Sequence, residues 1–449
     1  MAESKGPAGP IPRRRVWVAR ALVGGLVAIG AVAAVAVQLG PASAQQPGPS
    51  NSTTAEPGSS ALTIALRADL DAYLRTQGPT EHVSAAGLSV SLPDRRSTID
   101  VSAGTMRFGA SPPVLASSLW QIGSNTKAFT SVLLLQLEAE HRLSIDDTVQ
   151  KWLPQYPQWS DITIKRLLNM TSGIPTYEEQ PAFLTDYAAD PRRYFSDERL
   201  VSYAMPAAPT TGYSYSNTGY ILAEMVIEKA TRDSYEHQLY SRIIQPLGLH
   251  NLYYSPHLYP AWVTAREPAG YFFVDQPPPP FADLVGRDVS RYTLSYARGA
   301  GGILATTHDM TVWERALYGG RLLPASQQAE LMSLVSETTG QPIREASPSD
   351  PAGFGLGVQQ VFNSTLGMIW TYEGGTFGFR TLHMYVPNSG VIIAVGLNSQ
   401  STQDRIGALV ASAYGTLLSH GAIHATPVPS AGSPRTVAVA ASWTGRWAG

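Results

Sequence analysis

Ser124 and Lys127 stand three residues apart in the run Gly123-Ser124-Asn125-Thr126-Lys127. On a helix that spacing puts both side chains on one face, so an ammonium can approach the hydroxyl. A serine hydroxyl is a poor nucleophile until a neighbour takes its proton, and a buried lysine with a lowered pKa can take it. A helix N-terminus would also stabilise the negative charge that develops. The same residues also fit an N-cap serine followed by a surface lysine. Against that, Lys127 points into an apolar stretch, and the chain holds no other S-x-x-K.

Tyr215-Ser216-Asn217 is a second candidate, ahead of the helical stretch Ile221–Ala230. A phenol beside an ammonium can carry a proton between nucleophile and leaving group, and an Asn amide can hold both the lysine and a substrate carbonyl. A turn before a helix, with Asn as its cap, is the plainer reading. The third candidate is Tyr372-Glu373-Gly374-Gly375-Thr376-Phe377-Gly378-Phe379. Its glycines let a strand edge approach a substrate, leaving backbone N–H groups to bind an oxyanion or an extended acyl chain; alone, it is also compatible with a glycine-rich bend. The chain lacks G-x-S-x-G, H-E-x-x-H, a P-loop and a dinucleotide fingerprint, so no metal and no cofactor are expected.

The elements that must position these residues are partly readable. Leu62, Leu66, Leu70, Tyr73 and Leu74 recur at helical spacing, predicting a helix over 61–76, and two strands follow at Ala86–Leu92 and Thr98–Ala103. Ser124–Glu140 is apolar nearly all round, which places a helix in the core. From there to about residue 285 the pattern gives helices and Pro- and Tyr-rich loops with few strands. Thr306 to Asp309 fits a capping box opening a helix through Leu317. Phe379–Val386 and Val391–Leu397 read as a hairpin, and Asp404–Leu418 as a closing helix. This order predicts an α/β (α+β) fold: one sheet-bearing layer built from both chain ends, with an inserted helical region at about 126–285.

Composition narrows the function. The 449 residues contain no cysteine, which excludes disulfides, thiolate metal sites and a Cys nucleophile. Arg13-Arg14-Arg15, the uncharged run Ala21–Leu39 and the small-residue Ala42-Ser43-Ala44 have the layout of a signal peptide over residues 1–44, which would otherwise serve as a membrane anchor. Either way the body is expected outside the cytoplasm, as a secreted or cell-surface protein. Residues 45–60 read as a flexible tether and 419–449 as an Ala- and Pro-rich tail in which Trp443 and Trp447 have no assigned role. Residues 45–449 hold 27 basic and 33 acidic side chains, a net charge of −6, which argues against nucleic acid as a partner.

Taken in order, the motifs resemble the penicillin-recognising serine hydrolases, in the branch of class C β-lactamases, D-alanyl-D-alanine carboxypeptidases and related esterases. The likeness spans roughly residues 60–418 and includes Thr163–Tyr177, Gly212–Ala230, Ile244–Tyr253 and Gly299–Thr307. The resemblance implies a β-lactamase/transpeptidase-like fold, an antiparallel sheet flanked by helices beside an all-helical domain. It also implies an acyl-enzyme on Ser124, proton transfer by Lys127 and Tyr215, and substrate positioning by Asn217. The backbone N–H groups of Ser124 and Thr376 would form the oxyanion hole, Glu373, Gly374, Gly375 and Thr376 would line the substrate site, and Tyr215 would activate the deacylating water.

Two departures remove positive charge where relatives hold a carboxylate. Glu373 opens the third motif in place of Lys or His, and Gln359 follows Gly355–Val358 in place of Arg. Met170 also stands where a His often precedes Thr-Ser-Gly. The expected substrate is therefore a small molecule or peptidoglycan-like ester or amide with a neutral or cationic group near Glu373. The alternatives are a true D-alanyl-D-alanine carboxypeptidase or β-lactamase that recruits another base, with Arg298 as the candidate, and an inactive cell-wall binding protein.

Overall fold

A computed structural model describes residues 60–109 and 111–424. The basic leader, nearly all of the tether and the tail with Trp443 and Trp447 lie outside the described residues. Val391–Leu397 has no charged residue and is buried along its length, which suits a strand covered on both faces. It lies inside the sheet, with a paired strand on each side. In chain order the strands are β1 (Ala85–Ser91), β2 (Thr98–Gly104), β3 (Trp120–Gln121), β4 (Leu252–Tyr254), β5 (Tyr271–Phe273), β6 (Ile303–Ala305) and β7 (Leu334–Ser336). They continue with β8 (Pro342–Ile343), β9 (Ala352–Phe354), β10 (Gln359–Asn363), β11 (Gly367–Gly375), β12 (Arg380–Val386), β13 (Val391–Leu397) and β14 (Ser399–Ser401).

Nine of them form one antiparallel sheet in the order β2-β1-β13-β12-β11-β10-β9-β7-β8, so both chain ends meet where β1 pairs with β13. The hairpin β12–β13 closes through Pro387–Gly390, with Gly390 at φ 73°. Helices Ala61–Thr76 and Ile406–Ser419 cover one face, packing Leu66, Leu70, Leu409, Val410 and Leu417 with Leu88, Leu382 and Val395 of the sheet. Helix Thr307–Tyr318 packs on β1 and β13 with the larger core, which also holds helices Thr126–Ala139 and Asn217–Thr231.

Local signals account for the helix ends. Ser60 accepts the N–H of Thr63, and Ser216 accepts that of Gly219. At Thr306 half of the expected capping box forms. Its hydroxyl accepts the Asp309 N–H at 3.1 Å, but the Asp309 carboxylate accepts from the Asn251 N–H at 2.6 Å instead of turning back.

Trp120 fixes the entry to the serine turn. Its fully buried indole lies across the face of the paired strands β1 and β13, where a Cβ on Gly87 would come within 2.8 Å of the ring and one on Gly396 within 2.5 Å. Both neighbours must lack a side chain. Gly396→Ala is expected to cost about 1–3 kcal/mol through overpacking, read as a lower denaturant midpoint at unchanged slope. A midpoint equal to that of the parent protein would mean the indole is free to move.

Candidate active site

Ser124 sits in a 3-10 turn, Gly123–Asn125, that leads directly into the buried helix Thr126–Ala139. Three contacts fix this turn. Asn125, 1% exposed, donates to the Ile122 carbonyl and to Thr381 Oγ1, and His383 Nδ1 meets its Oδ1 at 2.8 Å. Burial pushes His383 down to about 3, so the ring is neutral and donates from Nδ1. The β11 edge comes so close that a Cβ on Gly374 would stand 2.0 Å from the Ile122 carbonyl and 2.9 Å from the Ser124 nitrogen. Only glycine admits that approach.

The sequence-selected side chains meet at Ser124. Its Oγ lies 2.6 Å from the Tyr215 hydroxyl and 3.0 Å from Lys127 Nζ. Nζ also donates to the Ala300 carbonyl at 2.8 Å, and the Tyr372 hydroxyl donates to Tyr215 at 3.3 Å. These contacts allow one ordered chain of donors, Tyr372 to Tyr215 to Ser124 to Lys127 to the Ala300 carbonyl, provided that Nζ is neutral and can accept.

Burial makes it so. Lys127 is 0% exposed, between the rings of Tyr215 (4.8 Å) and Tyr220 (5.4 Å). Desolvation pulls its pKa down to about 7, against a smaller opposing pull from Glu178. Its place in the first turn of the helix adds to the penalty on a cation. Desolvation raises Tyr215 instead, so the phenol keeps its proton. Expected as the base that activates water, Tyr215 is better suited to donate a proton than to take one.

Asn217 departs from its expected role. Its Nδ2 donates to Glu178 Oε2 rather than engaging Lys127, and its buried Oδ1 has no hydrogen-bond partner among the described residues. Glu178 is itself 8% exposed, and burial raises it to about 7, opposed by Asn217 and Lys127. Sequence reasoning missed Glu178. It follows directly after the stretch Thr163–Tyr177 and carries no local motif; only the fold brings it to Asn217, 39 residues later. Met170, buried and with φ 62°, places its Sδ 3.3 Å from the Ser216 N–H and so helps seat the same turn.

The resulting cleft, about 550 Å³ with its mouth included, is lined by Ser124, Tyr215, Asn217, Glu178, Glu373, Gly375 and Thr376. Its remaining wall is apolar and aromatic: Phe183, Leu184, Phe281, Tyr296 and Phe377. The ring of Phe377 lies 5.0 Å from Tyr296 and 5.2 Å from Phe281.

Four expectations need correction. Glu373 lines the cleft, but burial raises its carboxyl well above the usual range, and it bonds to Asp404. Although burial opposes it, Arg380 and the bond from Glu373 hold Asp404 low. Glu373 therefore brings a proton rather than a charge. Gln359 is 1% exposed and donates to Glu337 at 2.6 Å, away from the cleft lining. Arg298 is also unavailable, because it is buried in ion pairs with Asp197 and Glu224. Finally, the Thr376 N–H is directed at the Phe379 carbonyl, 3.0 Å away. Because alternate residues of an antiparallel strand face opposite edges, Gly375 turns its N–H away from β12. A Cβ on Gly123 would lie 2.6 Å from that nitrogen. Gly375, not Thr376, thus faces the serine turn with its N–H.

Comparisons with known proteins bear on the family and the fold. The Beta-lactamase family model matches residues 73–414. Penicillin-binding protein 4* of Bacillus subtilis (strain 168) is 26% identical over 299 residues, covering 65% of this chain and 63% of the relative, so the match spans less than two thirds of that protein. Penicillin-binding protein 4 of Amycolatopsis lactamdurans is 28% identical over 59% of this chain and 68% of its own length. Among solved structures, the D-stereospecific amidohydrolase from a Streptomyces species superposes with a TM-score of 0.65 at 29% identity, over 78% of this chain and 98% of that one. The D-amino acid amidase of Ochrobactrum anthropi complexed with D-phenylalanine has a TM-score of 0.67 at 22% identity, over 80% and 100%; at that identity the likeness concerns the fold. With the antiparallel sheet, its flanking helices and a match over most of the described residues, the chain belongs to the beta-lactamase family.

Proposed function

We propose that this enzyme hydrolyses amides or esters of amino acids that carry a free α-ammonium and an aromatic or large apolar side chain, through an acyl-enzyme on Ser124. The observation that carries this reading is the pair of buried acceptors in the cleft: the Glu178 carboxylate and the unpartnered Asn217 Oδ1. A buried acceptor without a donor is costly, and an ammonium supplies several donors to both. Phe183, Phe281, Tyr296 and Phe377 suit a flat apolar side chain. The 29% identical Streptomyces enzyme described as a D-stereospecific amidohydrolase supports an amide of D configuration. The leader over residues 1–44 supports export. A carboxylate-terminated peptide or a β-lactam fits less well, because among the described residues lining the cleft none is Lys, Arg or His.

In this reading the Ser124 proton passes to neutral Lys127 as Oγ bonds to the substrate carbonyl carbon. The carbonyl oxygen takes up the displaced electron pair and accepts N–H groups of Ser124 and Gly375, the first at a helix start where backbone donors lack partners. When the C–N bond breaks, the departing nitrogen takes the Tyr215 proton, and the Lys127 ammonium restores it. Water then attacks the ester, gives its proton to Lys127, and Ser124 Oγ leaves with a proton returned through Tyr215.

Residues 45–449 offered D-phenylalanine p-nitroanilide, a p-nitrophenyl ester, a D-Ala-D-Ala peptide and a chromogenic cephalosporin should turn over the first two best. Ser124→Ala should lose that turnover; activity unchanged by Ser124→Ala contradicts the nucleophile assignment. Glu178→Gln should raise KM for the ammonium-bearing anilide about 10- to 100-fold, since a charge-assisted bond is lost, with little effect on the neutral ester. Equal effects would mean that Glu178 does not meet the ammonium.

Tyr215→Phe should lower kcat about 10²- to 10⁴-fold, the usual weight of a positioned proton donor, while the helix and sheet signature in circular dichroism stays unchanged. The pH profile has a defined sign. Lys127, lowered to about 7, accepts a proton only above that pH, and Glu178, raised to about 7, is charged only above it. Thus kcat/KM should rise with pH through about 7, and in Glu178→Gln the rising limb should persist through Lys127 alone. A flat profile from pH 5 to 8 contradicts both ionisations.

A further inference from the structure

β3 runs straight into the serine turn, and its last residue, Gln121, is 4% exposed. Both ends of its amide are engaged. Nε2 donates to Glu267 Oε1 at 3.1 Å and to the Ser290 carbonyl at 3.2 Å, and Oε1 accepts the Thr376 hydroxyl at 2.8 Å. Thr376 follows Gly375, whose N–H faces the serine, and precedes Phe377, which forms part of the aromatic wall. The Thr376 N–H is held separately by Phe379. The hydroxyl bond to Gln121 ties the β11 end to the strand leading into the nucleophile at Thr376 itself, while Thr381, whose Oγ1 lies 3.0 Å from the Ile122 carbonyl and 3.4 Å from that of Gly374, braces the neighbouring residue. Behind it, Glu267 is buried at 6% exposure and lines a second cleft with Arg107, Ser290 and Arg291.

We propose that Gln121 and Glu267 are positioning residues for acyl transfer: through the Thr376 hydroxyl they hold the Gly375 N–H and the Phe377 ring in register with Ser124. A misplacement of about 1 Å in such a donor costs about 100-fold in rate, so a bond that fixes this strand end should be visible in kcat. Glu267 also lends the link a pH dependence. Burial raises its carboxyl to about 8, with Asp288 adding to the rise and Arg291 opposing it. Arg107, which lines the same cleft, is neutralised by Asp288 at 2.7 Å. Above pH 8 the carboxylate is the stronger acceptor for Gln121, which tightens the link; below it the neutral acid still accepts through Oε1.

The inference rests on Ser124 as nucleophile, and the test separates the two. With D-phenylalanine p-nitroanilide, Gln121→Leu and Glu267→Leu should each lower kcat about 10- to 100-fold with KM changed less than about threefold. Glu267→Gln, which keeps an acceptor of the same shape, should retain kcat at pH 7 within about threefold. It should also lose the rise in kcat that this link predicts for the parent enzyme between pH 7.5 and 9. Parent-like kcat in folded Gln121→Leu, or an unchanged rise in Glu267→Gln, overturns the proposal while a dead Ser124→Ala leaves the hydrolase reading intact. Turnover that persists in Ser124→Ala defeats that reading instead.

Discussion

Much of this structure can be understood from the cost of burying one ammonium. Lys127 lies at the start of a helix that is apolar nearly all round, and an ammonium there is cut off from water, so its pKa falls to about 7 despite the opposing pull of Glu178. Losing the proton relieves that cost and leaves a lone pair 3.0 Å from the Ser124 hydroxyl. The base is thus a consequence of packing. The remainder of the fold keeps water away from Nζ and keeps the hydroxyl within reach: Trp120 anchors the approach, Asn125 and His383 brace the turn, and the glycine edge of β11 closes over it. The Tyr215 and Tyr220 rings complete the enclosure while Tyr215 also serves as the proton donor.

The same constraint governs the acids. Glu373 and Glu178 both line the cleft, yet burial acts on them in different company. Glu373 sits beside Asp404, which Arg380 already neutralises, so adding a second charge there is unfavourable and Glu373 retains its proton. Burial raises Glu178 to about 7 as well, but the Asn217 amide donates to it and favours its ionised form. The acidity of the cleft consequently resides at Glu178. Arg298, the basic residue considered as a carboxylate partner, supports the helical region through Asp197 and Glu224.

What could be read in the sequence, and what could not, divides by the range of the interactions. The helix at 61–76, the β12–β13 hairpin and the buried nucleophile helix carry their signals within a few residues, and so do Ser124, Lys127 and Tyr215, whose chemistry depends on residue type. Strands β7 to β11 were not legible, because several are only two or three residues long and are held by neighbours in the sheet more than by alternation. The oxyanion donor slipped by one residue for a related reason: which N–H leaves a strand edge depends on pairing register, which Gly374 and Gly375 do not announce. Glu178 and Gln359 show the remaining limit. Their roles depend on Asn217 and Glu337, partners that only the folded chain supplies.

The central claim, that Lys127 titrates near pH 7 and in its neutral form accepts the Ser124 proton, can be measured without a substrate. The chain has four lysines after residue 5, namely Lys127, Lys151, Lys165 and Lys229. In protein labelled at the lysine side chains, NMR titration should therefore give few signals, with Lys127 assigned from Lys127→Met. The account predicts that one lysine titrates near pH 7 and the rest near the ordinary value of about 10.4. All four titrating above pH 10 would contradict it.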